Sequence, residues 1–178
     1  MSKPTNQQLQ TQLRRIQLFL CDVDGVMTDG TVWMGNGAEL KRFHIRDGLG
    51  LKFLQRHGMR VGWVSRRPSA ATKARADDLK IDYLIQSDTD KVAAVEGLLQ
   101  KIGLNWPAVC FVGDDVVDLG ALQRAGVAVA VGDGVAEVKS AAHYVTKACG
   151  GQGAVREVAE LILRAQKKWQ FVLAEYAD

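Results

Sequence analysis

The sequence predicts an α/β protein: a doubly wound, Rossmann-like parallel sheet with a small β-hairpin inserted near its start. Three observations carry this. Short, continuously apolar runs alternate with longer segments of helical periodicity along nearly the whole chain, as expected of strands buried on both faces and joined by right-handed helical crossovers. Several of those runs end abruptly in Asp, Ser or Gly, and open α/β sheets bind ligands at the carboxyl ends of their strands. Finally, Thr31 to Phe43 holds two β-prone runs around Gly35-Asn36-Gly37, a hairpin signal placed where a doubly wound chain would go straight into a helix.

Residues 1–13 are Gln-rich and polar, a frayed helix or a disordered lead-in. Ile16 to Cys21 reads as a buried strand that runs into Asp22-Val23-Asp24-Gly25. The hairpin occupies 30–43. Its Val32, Trp33, Met34, Leu40 and Phe43 need a burial that a lone ribbon cannot supply, so packing against other subunits is expected. Asp47 to His57 has helical spacing of Leu49, Leu51, Phe53 and Leu54, with Gly58 at the cap position. Met59 to Ser65 is a strand, Ser69 to Lys80 a helix with a serine cap, and Ile81 to Ile85 a strand. Lys91 to Ile102 is amphipathic, with Val92, Val95, Leu98, Leu99 and Ile102 on one face and Gly103 as its stop. Ala108 to Val112 is a strand ending in Gly113-Asp114-Asp115. A helix to about Ala125, a strand from Val127 to Val131, a short helix over 135–142 and the strand-like Tyr144-Val145-Thr146 follow. After a Gly-rich loop from Ala148 to Gly153, one long helix fills 154–178. No repeat or linker interrupts the chain, so a single domain over 1–178 is expected.

Bulk properties exclude some functions. Hydrophobic residues make up 47% and charged residues 24% of the 178, ordinary values for a globular protein. The net charge of +3 comes from scattered Lys and Arg, which argues against nucleic-acid binding and suits an anionic substrate. Cys21, Cys110 and Cys149 are too few and too far apart for a disulfide framework or a zinc site, and a reducing, cytoplasmic setting is expected. No apolar stretch reads as a signal peptide or membrane span.

Four features fall at strand ends, where the fold itself gathers them: Asp22 with Asp24, Ser65, Lys91 and Asp114 with Asp115. Two carboxylates two residues apart repel each other and persist where a cation, usually a metal, neutralises them. Each feature alone has a plainer meaning. The aspartates could be turn residues, Ser65 a helix cap and Lys91 a solvated surface lysine. Their shared placement is what favours chemistry.

The stretches DVDGVMTDG (22–30) and GDDVVD (113–118), with the hydroxyl of Ser65 and the lone Lys91, resemble the four signature motifs of the haloacid dehalogenase superfamily of phosphotransferases. Residues 41–50 (KRFHIRDGLG) and 150–157 (GGQGAVRE) resemble the branch acting on 3-deoxy-D-manno-octulosonate 8-phosphate (KDO 8-phosphate) and on nonulosonate 9-phosphates. The resemblance spans about Leu18 to Leu163 and implies a haloacid dehalogenase fold without a large cap domain. It implies Asp22 as the nucleophile forming an aspartyl-phosphate. Asp24 is implied as general acid and base, Lys91 as partner of phosphate and nucleophile, and Ser65 as donor to a phosphate oxygen. Mg2+ is the implied cofactor, held by Asp22, the backbone carbonyl of Asp24 and Asp114, with Asp115 and Asp118 as supporting acids. For the substrate it implies His44, Ile45, Arg46, Asp47, Gly48, Lys52, Arg67 and Arg75; bidentate guanidinium–carboxylate pairing gives the arginines a physical reason. A tetramer built through the hairpin is implied as well.

The expected activity is therefore a magnesium-dependent sugar-acid phosphatase of lipopolysaccharide precursor synthesis, with the octulosonate ester first and a nonulosonate ester second. One departure stands out: Ser65-Arg66-Arg67 replaces the usual Thr/Ser-Gly-Arg. Arg66 could clash with substrate, add an anion contact or point to solvent, so an inactive relative is a rival reading. A receiver-type signalling domain is another, since it also combines strand-end acids with a lysine. Gln152 stands where many relatives carry Lys or Arg.

Overall fold

The computed structural model describes residues 4–35 and 37–177. The chain opens with α1 (Asn6–Arg15), whose Thr5 side chain accepts from Gln8 N while the Gln8 side chain accepts from Thr5 N, a capping box. Leu9 and Leu13 are buried, so this segment is a docked helix and not a disordered lead-in. Then come β1 (Leu18–Cys21), the antiparallel pair β2 (Trp33–Gly35) and β3 (Ala38–Leu40), and α2 (Ile45–Arg56). Regular alternation follows: β4 (Arg60–Ser65), α3 (Ala70–Leu79), β5 (Tyr83–Gln86), α4 (Lys91–Ile102), β6 (Val109–Gly113), α5 (Leu119–Arg124), β7 (Val127–Ala130), α6 (Ala136–Ala141) and β8 (Tyr144–Val145).

The six long-range strands form one parallel sheet in the order β5-β4-β1-β6-β7-β8. Alternate residues of each strand face opposite layers. Phe19, Cys21, Cys110 and Val112 join α1, α2 and the C-terminal helices, whereas Leu18, Leu20, Val109 and Phe111 join α4, α5 and α6. Strand β1 lies between β4 and β6, the point where the winding reverses, and the carboxyl edge there is where a doubly wound fold opens a crevice.

The predicted single terminal helix is two, α7 (Ala154–Ala165) and α8 (Trp169–Ala174). Lys167 adopts a left-handed φ of 57° between them. The Gln166 side chain donates to the carbonyls of Leu13 and Ile16, and the turn lets Trp169 meet Phe53 edge-on. Strands β2 and β3 pair as expected, Trp33 opposite Leu40. Trp33, Met34 and Leu40 are 67–73% exposed, a large apolar surface on so short a ribbon.

Candidate active site

Strand β1 ends at Cys21, and Asp22 continues the ladder by donating its N–H to the carbonyl of Val112. The loop then turns tightly. The Thr28 hydroxyl accepts from Gly25 N and Gly30 N, pinning the loop from within. Gly25 has φ +89°, and a Cβ there would stand 2.1 Å from Asp114 Oδ2. The nucleophile loop and the β6 loop thus approach so closely that only glycine fits. The 148–153 loop supports them from below: Gly151 donates to the carbonyl of Val26, and a Cβ on Gly150 would collide with Gly25. Those glycines therefore serve backbone packing.

Lys91, at the start of α4, is 2% exposed and is held between two carboxylates, 2.8 Å from Asp22 Oδ2 and 2.6 Å from Asp118 Oδ1. The other Asp118 oxygen accepts from Asp114 N at 3.1 Å, so this fully buried acid links the lysine to the β6 loop. Asp22 Oδ1 accepts from Val23 N at 2.6 Å. Oxygens of Asp22, Asp114 and Asp118 all lie within 4.8 Å of one another. Burial pushes the Asp22 carboxyl up to about 6, opposed by Lys91 and reinforced by Asp118. Asp114 rises to about 7, through burial first and then the charges of Asp22 and Asp118. Burial lowers Lys91, but its two carboxylate partners outweigh that and its net displacement is upward.

Crowded carboxylates raised in this way require positive charge. One lysine faces three acids, and Asp114 Oδ1 is buried with no hydrogen-bond donor. An oxygen-rich pair such as Asp22 and Asp114 fits a hard divalent cation.

The remaining expected residues divide. Ser65 is 2% exposed at the end of β4; its hydroxyl accepts from Arg67 N at 3.1 Å. Asp24 turns its carboxylate to Lys41, 2.7 Å away, so only its backbone is left for a cation. Asp115 is exposed and accepts from its own neighbour Val116 N at 2.6 Å, the part of a helix cap, while its charge adds to those that raise Asp114. Arg67 reaches back to Glu39 of the hairpin at 2.5 Å.

Asp47 lies in the first turn of α2. It is fully buried, its oxygens accepting from Gly153 N (3.1 Å) and Arg156 N (2.7 Å) to cap α7, and burial raises its carboxyl. Arg75 pairs with Asp78 and lies against Gly48, where a Cβ would come within 2.7 Å of its guanidinium. Both serve the α2–α3 contact. Ile45 is 72% exposed. His44 and Arg46 line an open depression of about 460 Å³ with Gln152 and Arg156, and none of the clustered acids borders it. Lys52 makes no hydrogen bond or ion pair among the described residues. Arg66 is exposed, lacks a positive φ and donates to the carbonyl of Asp88 at 3.3 Å. It extends outward from the loop and imposes no left-handed strain.

Fold and acidic cluster define a class, the haloacid dehalogenase-type hydrolases. A family model described as haloacid dehalogenase-like hydrolase matches residues 79–157. A 3-deoxy-D-manno-octulosonate 8-phosphate phosphatase, KdsC of Yersinia pestis, is 43% identical over 154 residues, 86% of this chain and 82% of that one. The crystal structure of such a phosphatase from Moraxella catarrhalis, in complex with magnesium, phosphate and KDO, superposes with a TM-score of 0.94 at 36% identity; the match covers 97% of this chain and 99% of that one. A cobalt-bound form from Haemophilus influenzae gives a TM-score of 0.85 at 38% identity, covering 88% and 92%. The chain belongs to the family of 3-deoxy-D-manno-octulosonate 8-phosphate phosphatases.

Proposed function

We propose that this protein hydrolyses the phosphate monoester of 3-deoxy-D-manno-octulosonate 8-phosphate to KDO and phosphate, with Mg2+ as cofactor. The observation that carries the reading is Asp22 fixed by buried Lys91 beside the unpartnered Asp114, in a chain matched along almost its full length by a relative holding magnesium, phosphate and KDO. Asp22 and Asp114 would hold the cation, with the Asp24 carbonyl. When bound, it supplies positive charge to the phosphoryl oxygens.

The chain's own groups do the rest. Lys91 keeps Asp22 oriented, opposing the burial that raises its carboxyl to about 6, so the nucleophile is largely ionised at neutral pH. An Asp22 oxygen attacks phosphorus, the bond from phosphorus to the ester oxygen breaks, and the departing alkoxide takes a proton from Asp24. Water then attacks phosphorus and gives its proton to Asp24. The bond to Asp22 breaks and phosphate leaves. Ser65 donates its hydroxyl to a phosphoryl oxygen once it turns from its own loop. Asp118 orders Lys91 and the Asp114 backbone.

The setting is cytoplasmic, supported by cysteines that are all free. No helix of the described residues is long and apolar enough to cross a membrane. Assembly is a homotetramer through the hairpin, supported by exposed Trp33, Met34 and Leu40. The test is phosphate release from KDO 8-phosphate and from a nonulosonate 9-phosphate, each with magnesium and with chelator. Magnesium-dependent release favouring the octulosonate ester is expected. A preference for the nonulosonate ester, or release from neither, would contradict the reading.

A further inference from the structure

We propose that Lys41, on the inner face of the hairpin's second arm, is a positioning residue for the proton transfers of Asp24. The proposal rests on the reading that Asp22 is phosphorylated and Asp24 handles protons. Glu39 and Lys41 are two apart on extended chain and so face the same way. Leu40 between them faces outward, 67% exposed. The Lys41 side chain is 0% exposed, and a lysine is almost never buried to that degree unless its charge is paired.

Its three ammonium protons have three directions to go. Lys41 Nζ lies 2.7 and 3.0 Å from the two oxygens of Asp24, 3.0 Å from Thr72 Oγ1 on α3, and 3.5 Å from Glu39 Oε1. Thr72 is fully buried, and Glu39 is itself fixed by Ser69 Oγ at 2.6 Å and by Arg67 at 2.5 Å. The ammonium thus stands on a rigid tripod drawn from the hairpin and α3. Asp24, in a loop of which only the backbone is pinned by Thr28, has its carboxylate direction set from outside that loop. Proton transfer needs the carboxylate within hydrogen-bond reach of the transferred proton, and a displacement of about 1 Å costs on the order of a hundredfold in rate. The hairpin therefore reaches the chemistry through one side chain while its other face remains apolar and exposed.

The test uses the full-length Lys41→Met protein with magnesium and p-nitrophenyl phosphate. The aryl leaving group departs as a stable phenolate and needs no proton, so only the second half-reaction depends on Asp24. Phosphorylation of Asp22 should stay near the wild-type rate, seen as a burst of about one nitrophenolate per subunit. Steady turnover should fall on the order of a hundredfold, and acid quenching should trap accumulated phosphoenzyme. Thr72→Val, which removes one leg of the tripod, should move turnover the same way by a smaller factor. Wild-type turnover in Lys41→Met, or equal loss of burst and turnover in both variants, would overturn the proposal. Phosphate release with neither a burst nor trapped phosphoenzyme in the wild type and in Lys41→Met alike, turnover of the variant being lowered, would instead refute the underlying reading.

Discussion

Replacing Asp114 by Asn should stabilise the metal-free protein and abolish its response to magnesium. Burial and the charges of Asp22 and Asp118 raise the Asp114 carboxyl from 3.8 to about 7, and its Oδ1 has no donor to lose. The sign follows from the raised value. The folded state holds the proton more tightly than the unfolded chain, so the charge weighs nothing against folding below about pH 4 and increasingly more as pH rises through 7. By pH 7.5 that displacement corresponds to about 4 kcal/mol, and solvent at this partly open position trims it to about 2 kcal/mol. For a chain of this size such a gain raises the melting temperature by roughly 4–8 °C. Thermal unfolding by circular dichroism, in chelator and in millimolar magnesium at pH 4 and 7.5, would measure it. The variant should melt higher than wild type in chelator at pH 7.5 and equal it at pH 4. Magnesium should close the gap by stabilising wild type alone, because a ligand that binds only the folded state adds stability by mass action. A variant no more stable than wild type at pH 7.5, or equally stabilised by magnesium, would refute the account of the cluster.

Asp47→Ala should cost about 2–4 kcal/mol in chemical denaturation, since it strands the partly buried N–H groups of Gly153 and Arg156, while KM for KDO 8-phosphate changes little; a large KM rise at unchanged stability would instead show a substrate role. Arg66→Gly should leave kcat/KM within about threefold, because a single exposed hydrogen bond to the Asp88 carbonyl is lost. A large gain would mean that this arginine suppresses turnover. Trp33→Ser with Leu40→Ser should shift sedimentation to smaller species, given the exposure of both side chains, and an unchanged tetramer would place the interface elsewhere.

The elements that hold the site were legible because their signals are local. An apolar strand ending in Asp22 and a lysine opening α4 each show themselves within a few residues, and sheet topology then gathers them. Less is legible where partners are distant in sequence. Asp47 reads as a neighbour of Arg46, yet its hydrogen bonds cross to Gly153 and Arg156, more than a hundred residues on. Lys41 carries no local signal, for its pairing with Asp24 exists only once the hairpin folds back. Asp118 reads in the sequence as a supporting acid, and only the geometry puts it against both Lys91 and the Asp114 backbone. The break between α7 and α8 was hidden for another reason: Lys167 is a good helix former, and the Gln166 contacts with Leu13 and Ile16 override its preference.

The central claim is that Asp22 carries the phosphoryl group. Enzyme quenched in acid during turnover of KDO 8-phosphate, reduced with tritiated borohydride and mapped by peptide mass spectrometry, tests it directly, because an acyl phosphate is reduced to the alcohol. The account predicts label as homoserine at position 22 and nowhere else; label at another acid, or none while phosphate is being released, would contradict it.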